Sequence, residues 1–185
     1  MGIRNYLIEG VSGTGKTSVA TELERGGYHV IHGDRELAYK GDPRTGEPLD
    51  ETALKQAGSD AAFGHEHHIW NTRTVADLIA DRSHPISFFC GGSRNFDQFI
   101  ALFDQVFVLT VDSATLNLRL SSRPEDEFGG NPSEQELIAR RHASQGDVPE
   151  QGLRIDANAP LLSVVDHILR ECCKVDQRSS RPAQR

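Results

Sequence analysis

Short apolar segments alternate with stretches of helical spacing along most of the chain. Apolar runs at residues 5–9, 28–31, 85–90, 106–111 and 152–156 predict five β-strands. Helical spacing places Val19, Ala20 and Leu23 on one face of residues 16–25, Asp112 is typical of a helix cap, and residues 161–172 predict a closing amphipathic helix. This alternation predicts an α/β fold: a five-stranded, mostly parallel sheet with helices on both faces.

Three segments depart from the alternation of strands and helices. Residues 40–64, rich in Gly, Pro, Asp and Thr, predict a surface excursion with some helix. Residues 123–136 are polar around Gly129 and Gly130, which is typical of a lid loop. We therefore expect one domain at 1–173, with an acceptor-binding excursion at about 35–84 and a lid at about 123–140, followed by a flexible tail at 174–185.

Composition narrows the class of protein further. The 185 residues include 37% hydrophobic residues, enough for a sizeable core, and carry a formal net charge of −7, which argues against a nucleic-acid surface. Three cysteines, two of them adjacent, imply no disulfide framework, and no apolar run is long enough to cross a membrane. The N-terminus lacks the apolar core of a signal peptide. We expect a soluble, cytoplasmic protein.

Residues 10–17 match the phosphate-binding pattern G-x-x-x-x-G-K-[ST], the Walker A motif, between a predicted strand and a predicted helix. Its glycines let backbone N–H groups wrap a phosphate, and the following helix N-terminus adds positive partial charge. Lys16 is expected to reach the β- and γ-phosphates and the Thr17 hydroxyl to bind Mg²⁺. The residues assigned to nucleotide binding in this segment are Gly10, Ser12, Gly13, Thr14, Gly15, Lys16, Thr17 and Ser18. The base-reading Asn-Lys-x-Asp of GTPases is absent.

Two further groups of residues follow predicted strands, where ligands bind in parallel sheets. Asp34 and Arg35 come after the second strand; Asp34 would order Mg²⁺ waters, accept a proton from an acceptor hydroxyl, or cap a helix. Gly91 and Gly92 follow the third strand, and they would let a substrate approach the backbone or simply turn the chain. Arg94 is then placed to hold a phosphate or carboxylate, unless it is solvated.

Arginines flank the predicted lid on both sides. They are Arg119, Arg123, Arg140 and Arg141. As a group they predict a clamp that neutralises the charge of a transferring phosphoryl group, although any single one would serve equally as a helix-surface charge.

The excursion carries its own candidate residues. Trp70 either stacks on a flat substrate or sits in the core. The histidines at residues 65–68 are expected to line an acceptor pocket, with a metal site as the alternative, although their spacing fits no established zinc motif.

Together these features resemble the adenylate-kinase-like P-loop small-molecule kinases, a group that includes nucleoside monophosphate kinases, shikimate kinase and gluconate-type kinases. The resemblance spans about residues 3–172. It is carried by the Walker A motif, Gly33-Asp34, Arg94, the run at 111–123 and the segment at 155–161. It implies ATP and Mg²⁺, with Thr17 and Asp34 at the metal and Ala157 and Pro160 in a loop against the adenine ring.

The chain also departs from these kinases at specific positions. Cys90 stands where adenylate kinases have an acidic residue associated with Mg²⁺, which puts that metal site in doubt. Gly91-Gly92 is similar to the glycine run of shikimate kinases, yet His32 replaces the first of their two aspartates. Leu37 stands where adenylate kinases have an arginine. The chain therefore matches neither subgroup fully.

The expected activity is ATP-dependent phosphoryl transfer to a small molecule, by a monomer or homodimer. A nucleoside or nucleoside monophosphate is the first acceptor class, and a shikimate- or gluconate-like hydroxy acid is the alternative. The expected catalytic residues are Lys16, Asp34, Arg94, Arg119 and Arg123, with Arg119 also at the nucleotide. The expected acceptor-binding residues are Asp34, Arg35, Gly91, Gly92, Arg94 and Trp70. A regulatory protein that binds ATP without catalysis is the alternative of a different class.

Overall fold

The structure, a computed structural model, describes residues 3–58 and 60–179. In chain order the elements are β1 Arg4–Glu9, α1 Lys16–Arg25, β2 His29–His32, α2 Gly33–Glu36, β3 Ala38–Lys40, α3 Glu51–Ala57, α4 Ala61–Glu66, β4 His68–Trp70, α5 Thr72–Ala80, β5 Ile86–Cys90, β6 Gln105–Thr110, α6 Ser113–Ser121, α7 Pro132–Ser144, β7 Leu153–Asp156 and α8 Leu161–Ser179. Two 3₁₀ turns, Phe96–Gln98 and Ile100–Leu102, lie between β5 and β6.

Five parallel strands form the main sheet in the order β2-β5-β1-β6-β7, with helices around it. The central strand β1 is buried from Asn5 to Glu9 and pairs with β5 on one side and β6 on the other. Burial on both faces explains why these strands are almost wholly apolar in sequence. The predicted fold class is confirmed, and because all five strands are parallel, their carboxyl ends lie along one edge of the sheet.

Two helices that begin at this edge form as their sequences predict. In α1, Val19, Ala20 and Leu23 are the buried residues. At the start of α6, the Asp112 carboxylate accepts a hydrogen bond of 2.7 Å from the Thr115 N–H. Such a cap contributes about 1 kcal/mol to helix stability, so the predicted role of Asp112 is confirmed.

The excursion between β2 and β5 contains more regular secondary structure than its composition predicts. Strands β3 and β4 pair antiparallel, Tyr39 opposite Ile69, and bring the two ends of the excursion together around α3 and α4. Each strand has three residues, too few for a period-two pattern to be detected in the sequence. Helix α4 packs against α7, so the excursion contacts the segment predicted as the lid.

Two helices extend into segments for which the sequence predicted irregular structure. Helix α7 begins at Pro132, inside the predicted lid loop, with the Asn131 side chain accepting from the Glu134 N–H at its cap. Helix α8 runs to Ser179, past the predicted end at 172 and into the predicted tail. The remainder of that tail, 180–185, lies outside the described residues. Among the helices that the structure describes, none combines the length and apolar character needed to cross a membrane.

Trp70 is packed into the core and closely surrounded. Its side chain is fully buried, and its ring lies parallel to that of Phe99 with centroids 5.6 Å apart. The start of α2 passes so near that a Cβ added at Gly33 would lie 2.0 Å from Trp70 Cζ2. Of the two roles open to Trp70, the structure shows the core one, which contradicts its assignment to substrate binding.

Replacing Gly33 with Ala is therefore expected to destabilise the protein by about 3 kcal/mol, because the new methyl overpacks the site of Trp70. The midpoint of thermal unfolding should fall by about 6–12 °C, followed through the fluorescence of this single tryptophan. Gly64→Ala is the control: Gly64 lies within α4, and its Cβ would come no nearer than 3.8 Å to Lys40 Nζ. Equal midpoints for the two variants would contradict the close packing.

Candidate active site

The phosphate-binding loop lies between β1 and α1 at the carboxyl edge of the sheet. Gly10, Gly13 and Gly15 have φ angles of +153°, +93° and +102°, a region that favours glycine. Gly15 precedes α1 without a side-chain cap, so the first-turn N–H groups are not satisfied by a capping side chain. Lys16 Nζ donates to the carbonyls of Gly10, at 2.6 Å, and Val11, at 3.3 Å. The predicted loop has the geometry needed to surround an anion.

Lys16 is the centre of a cluster of charges contributed by separate elements. Burial lowers the pKa of Lys16, and the positive charges of Arg94 and Arg123 act in the same direction. The carboxylates of Asp34 and Glu9 oppose them and favour the ammonium form. The fold thus gathers three of the predicted catalytic residues around Lys16, together with Glu9, which was not predicted.

Asp34 lies at the end of β2 and is fixed by contacts from two neighbouring elements. Its Oδ1 accepts a 3.0 Å hydrogen bond from the Gly92 N–H and lies 3.2 Å from His68 Nε2. Partial burial acts to raise the pKa of Asp34, but His68, Lys16 and the Gly92 N–H together hold it below its usual value. The side chain is half exposed. Asp34 is therefore an ionised carboxylate whose charge acts on Lys16, and the N-cap residue of α2 is His32, which makes no side-chain cap hydrogen bond.

Gly91 and Gly92, which follow β5, lie close to the side chains of Trp70 and Asp34. A Cβ at Gly91 would lie 2.7 Å from Trp70 and 2.8 Å from Asp34 Oδ1, and the Gly92 N–H is bound to that same oxygen. Gly91 and Gly92 therefore position Asp34, and their contact with an acceptor stays a prediction. Arg35 is exposed on α2, and within the described part of the chain no ion pair joins it to the cluster.

Arg94 lies where predicted, beside the Lys16 cluster, but it is paired with a residue of the chain. Its Nη1 donates to the Asp147 carbonyl at 2.9 Å and lies 3.3 Å from Asp147 Oδ1. Asp147 follows α7 in a loop, and its side chain is also 2.8 Å from His65 Nε2. Nothing in the local sequence marks Asp147, because its partners lie 53 and 82 positions away.

Glu9 ends β1 directly before the phosphate-binding loop and is only 1% exposed. Its Oε2 accepts from the Gly10 N–H at 2.9 Å and its Oε1 from the Ser93 N–H at 3.0 Å. Burial raises the pKa of Glu9 to about 7, against the opposing charges of Arg94 and Lys16. The signal available in the sequence was an acidic residue ending an otherwise apolar strand.

This raised pKa predicts a pH-dependent stability. The folded chain holds the Glu9 proton up to about pH 7, whereas the unfolded chain releases it near 4.5, so stability falls as pH rises through that window. In Glu9→Gln this loss should disappear, and its free energy of unfolding should gain up to about 3 kcal/mol relative to wild type between pH 4.5 and 8. Denaturant titrations without nucleotide measure it.

The change of this difference between pH 4.5 and pH 8 is the quantity to compare, because the constant effect of losing one acceptor for the Gly10 or Ser93 N–H cancels in it. Glu47→Gln, at an exposed position, should follow wild type at every pH. A Glu9→Gln curve parallel to wild type across the window would contradict the assignment.

Two of the four lid arginines contact the phosphate-binding loop. Arg119 donates to the carbonyls of Thr14, at 2.9 Å, and Ala157, at 2.8 Å, and so joins the loop to the segment before α8. Arg123 donates to Ser12 Oγ at 3.0 Å and to the Phe128 carbonyl. Arg119 and Arg123 thus lie where charge on a bound phosphate chain would be neutralised.

The other two arginines have different surroundings. Arg140 pairs with Glu136 on an exposed face of α7, 2.8 Å apart, so it does not belong to the predicted clamp. Arg141 lies 3.0 Å from Glu66 and 3.3 Å from Asp147. It therefore joins the lid helix to the excursion.

The remaining residues assigned to nucleotide and metal lie on the same edge. Thr17 and Ser18 are exposed in the first turn of α1. Ala157 is buried, and its N–H donates to the Thr110 carbonyl at 2.8 Å, whereas Pro160 is exposed. Burial raises the pKa of the Cys90 thiol, which is therefore neutral.

The histidines of the excursion have separate partners. His65 faces Asp147, His67 Nδ1 lies 3.0 Å from the Phe63 carbonyl, and His68 faces Asp34. The described residues contain no group of three or more metal-ligating side chains. His65 thus contacts the carboxylate of Asp147, and His68 contacts that of Asp34.

Solved structures share this fold. The chain matches a gluconokinase from Sinorhizobium meliloti 1021 at TM-score 0.55 and 18% identity, covering 96% of this chain and 98% of that one. It matches shikimate kinase from Bacteroides thetaiotaomicron at 0.56 and 13% (91% and 98% covered), and deoxyadenosine kinase from M. mycoides at 0.52 and 13% (92% and 99% covered). The sequence matches no protein-family model and no curated protein. The chain has the P-loop fold of small-molecule kinases, as its motifs predicted.

Proposed function

We propose that this protein is a cytoplasmic kinase that transfers the γ-phosphoryl group of ATP to a hydroxyl of a small molecule. The observation that carries the proposal is the convergence of two groups at one edge of the sheet: Lys16 in its loop of positive-φ glycines, and Asp34, whose Oδ1 is held by the Gly92 N–H and whose charge acts on Lys16. A purely structural P-loop would not need that second group. The excursion at 35–84 would hold the acceptor and the segment at 123–140 would cover the phosphates.

The residues present fit a nucleotide. Three positive-φ glycines, the uncapped start of α1 and Lys16 provide donors and positive charge for a triphosphate. Arg119 and Arg123 approach the same loop from α6 and the residues after it. The segment at Ala157 and Pro160, joined to the loop by Arg119, is the proposed adenine contact.

The donor set also suits Mg²⁺, a hard cation that prefers oxygen ligands. The Thr17 hydroxyl would bind it directly and Asp34 would order its waters, while the neutral Cys90 thiol would not ligate it. Bound Mg²⁺ neutralises charge on the β- and γ-phosphates.

In the proposed step, the acceptor hydroxyl oxygen forms a bond to the γ-phosphorus while the bond from that phosphorus to the β–γ bridging oxygen breaks. The electron pair of the broken bond leaves with ADP, and the hydroxyl proton passes to Asp34. Lys16, Arg119 and Arg123 stabilise the charge on the phosphoryl oxygens, so that catalysis consists mainly of positioning and charge neutralisation.

The acceptor class is proposed from the site and from the names of the structural neighbours. A nucleoside or nucleoside monophosphate comes first, and a hydroxy acid of the shikimate or gluconate type comes second; the neighbours include a deoxyadenosine kinase, a gluconokinase and a shikimate kinase. The neutral Cys90, at the position where adenylate kinases have an acidic residue, favours a second candidate function, an ATP-binding regulator without turnover.

The decisive experiment measures ADP release from Mg-ATP with a panel of nucleosides, nucleoside monophosphates, shikimate and sugar acids. Turnover that rises well above the rate without acceptor, for one class only, supports the kinase and identifies its acceptor. ATP binding without stimulation by any acceptor would favour the regulator instead.

A further inference from the structure

Asp147 is enclosed by basic side chains from three parts of the chain. We call Asp147, His65, Arg94 and Arg141 the Asp147 cluster. His65 of α4 is 2.8 Å from one carboxylate oxygen, Arg94 is 3.3 Å from the other, and Arg141 of α7 is 3.3 Å from the first. Only 13% of the Asp147 side chain and 12% of the Arg94 side chain are exposed.

The Asp147 cluster borders the proposed acceptor side of the site. The backbone N–H of Arg94 donates to the backbone carbonyl of His68 at 2.9 Å, and the His68 ring faces Asp34. The Arg94 charge also acts on Lys16 and on the buried Glu9. Arg94 is thus a cation on this side of the site, and its guanidinium lies between the side chains of Asp147 and Glu9.

Two guanidinium groups and an imidazole around one carboxylate make the arrangement by which proteins hold a phosphate or carboxylate ligand. Here the chain supplies that carboxylate itself. Burial acts to raise the pKa of Asp147, but His65, Arg94 and Arg141 together hold it below its usual value. The carboxylate is therefore ionised at neutral pH, and a second anion brought to Arg94 would meet a like charge at close range.

We infer that Asp147 is a specificity-determining residue: it occupies the anion-binding position at Arg94, so that the site takes acceptors without a negative charge, such as nucleosides, and rejects nucleoside monophosphates and sugar acids. The inference rests on the proposed function for its acceptor, and it narrows that function to neutral hydroxyl compounds. A built-in repulsive charge is a common source of such selectivity.

The first test compares matched acceptors that differ in charge: a nucleoside with its 5′-monophosphate, and a neutral hexitol with gluconate. Wild type should use the neutral member of the productive pair with a kcat/KM at least about tenfold higher. A wild-type preference for the anionic member would overturn the inference without need of any variant.

The second test uses three variants. Asp147→Asn should shift the neutral-to-anionic ratio toward the anionic acceptor by about tenfold or more, whereas Asp147→Glu, which keeps the charge, should retain the wild-type ratio. Glu66→Gln removes an exposed partner of Arg141 outside the Asp147 cluster, and it should leave the ratio within about twofold of wild type. Equal ratios for Asp147→Asn and Glu66→Gln would overturn the inference.

A binding measurement separates failure of this inference from failure of the proposed function. If no acceptor is phosphorylated by wild type or variants, the proposed function fails. Inorganic phosphate then serves as the probe: at millimolar concentration it should raise the unfolding midpoint of Asp147→Asn by more than that of wild type, because binding at the loop of residues 10–17 contributes equally to both proteins. Equal phosphate effects on the two proteins, or none on either, would overturn the inference on its own.

Discussion

Replacing Lys16 with Ala is expected to lower acceptor-stimulated ADP release by about 10³-fold. Lys16 is the cation of the phosphate-binding loop, and the charges of Asp34, Glu9, Arg94 and Arg123 all act on it. A transferring phosphoryl group would lose its nearest positive charge at the point where its own charge is spread over three oxygens. Steady-state turnover with the best acceptor measures the loss.

The same substitution should leave the fold intact, which separates catalysis from stability. Burial lowers the pKa of Lys16, so the folded structure disfavours its charged form, and its removal relieves that cost. The unfolding midpoint of Lys16→Ala should therefore equal or exceed that of wild type. Lys55→Ala, on an exposed face of α3, is the matched control and should retain full turnover. A Lys16→Ala protein that keeps more than about a tenth of the activity would contradict a P-loop mechanism.

The sheet and its phosphate-binding loop are predictable from sequence because each of their signals is local. An apolar run, a glycine-rich turn and a helical face follow one another within residues 4–25, and the structure has β1 and α1 at those positions. Strands β3 and β4 escaped prediction because three-residue strands are stabilised by their pairing, which no local pattern records.

The candidate site was predictable only in part, for the same reason. Lys16, Asp34 and Arg94 follow strands, so their convergence follows from parallel topology. The partner of Arg94 does not: Asp147 reaches it only because α7 packs on the excursion, a contact between elements far apart in the chain. Trp70 could not be assigned from the sequence either, because a single aromatic residue is equally compatible with stacking on a ligand and with packing in the core. Its burial decides for the core.

Replacing Asp34 with Asn is expected to lower kcat by about 10²- to 10⁴-fold, because the acceptor hydroxyl would lose the carboxylate proposed to take its proton. The amide oxygen of Asn can still accept from the Gly92 N–H, so the strand-end geometry and the unfolding midpoint should change little. Asp77→Asn, an exposed position on α5, is the control and should match wild type. Steady-state kinetics with saturating acceptor provides kcat.

The dependence of the Asp34→Asn rate on Mg²⁺ distinguishes the two roles open to Asp34. A base lost from the hydroxyl lowers kcat while the Mg²⁺ concentration for half-maximal rate stays the same; a residue that orders Mg²⁺ waters raises that concentration. The pKa of Asp34 lies below its usual value, so the wild-type rate should show no loss from protonating this residue between pH 6 and 8. An unchanged kcat together with an unchanged Mg²⁺ concentration for half-maximal rate in Asp34→Asn would exclude both roles and leave Asp34 as a structural partner of Gly92 and His68.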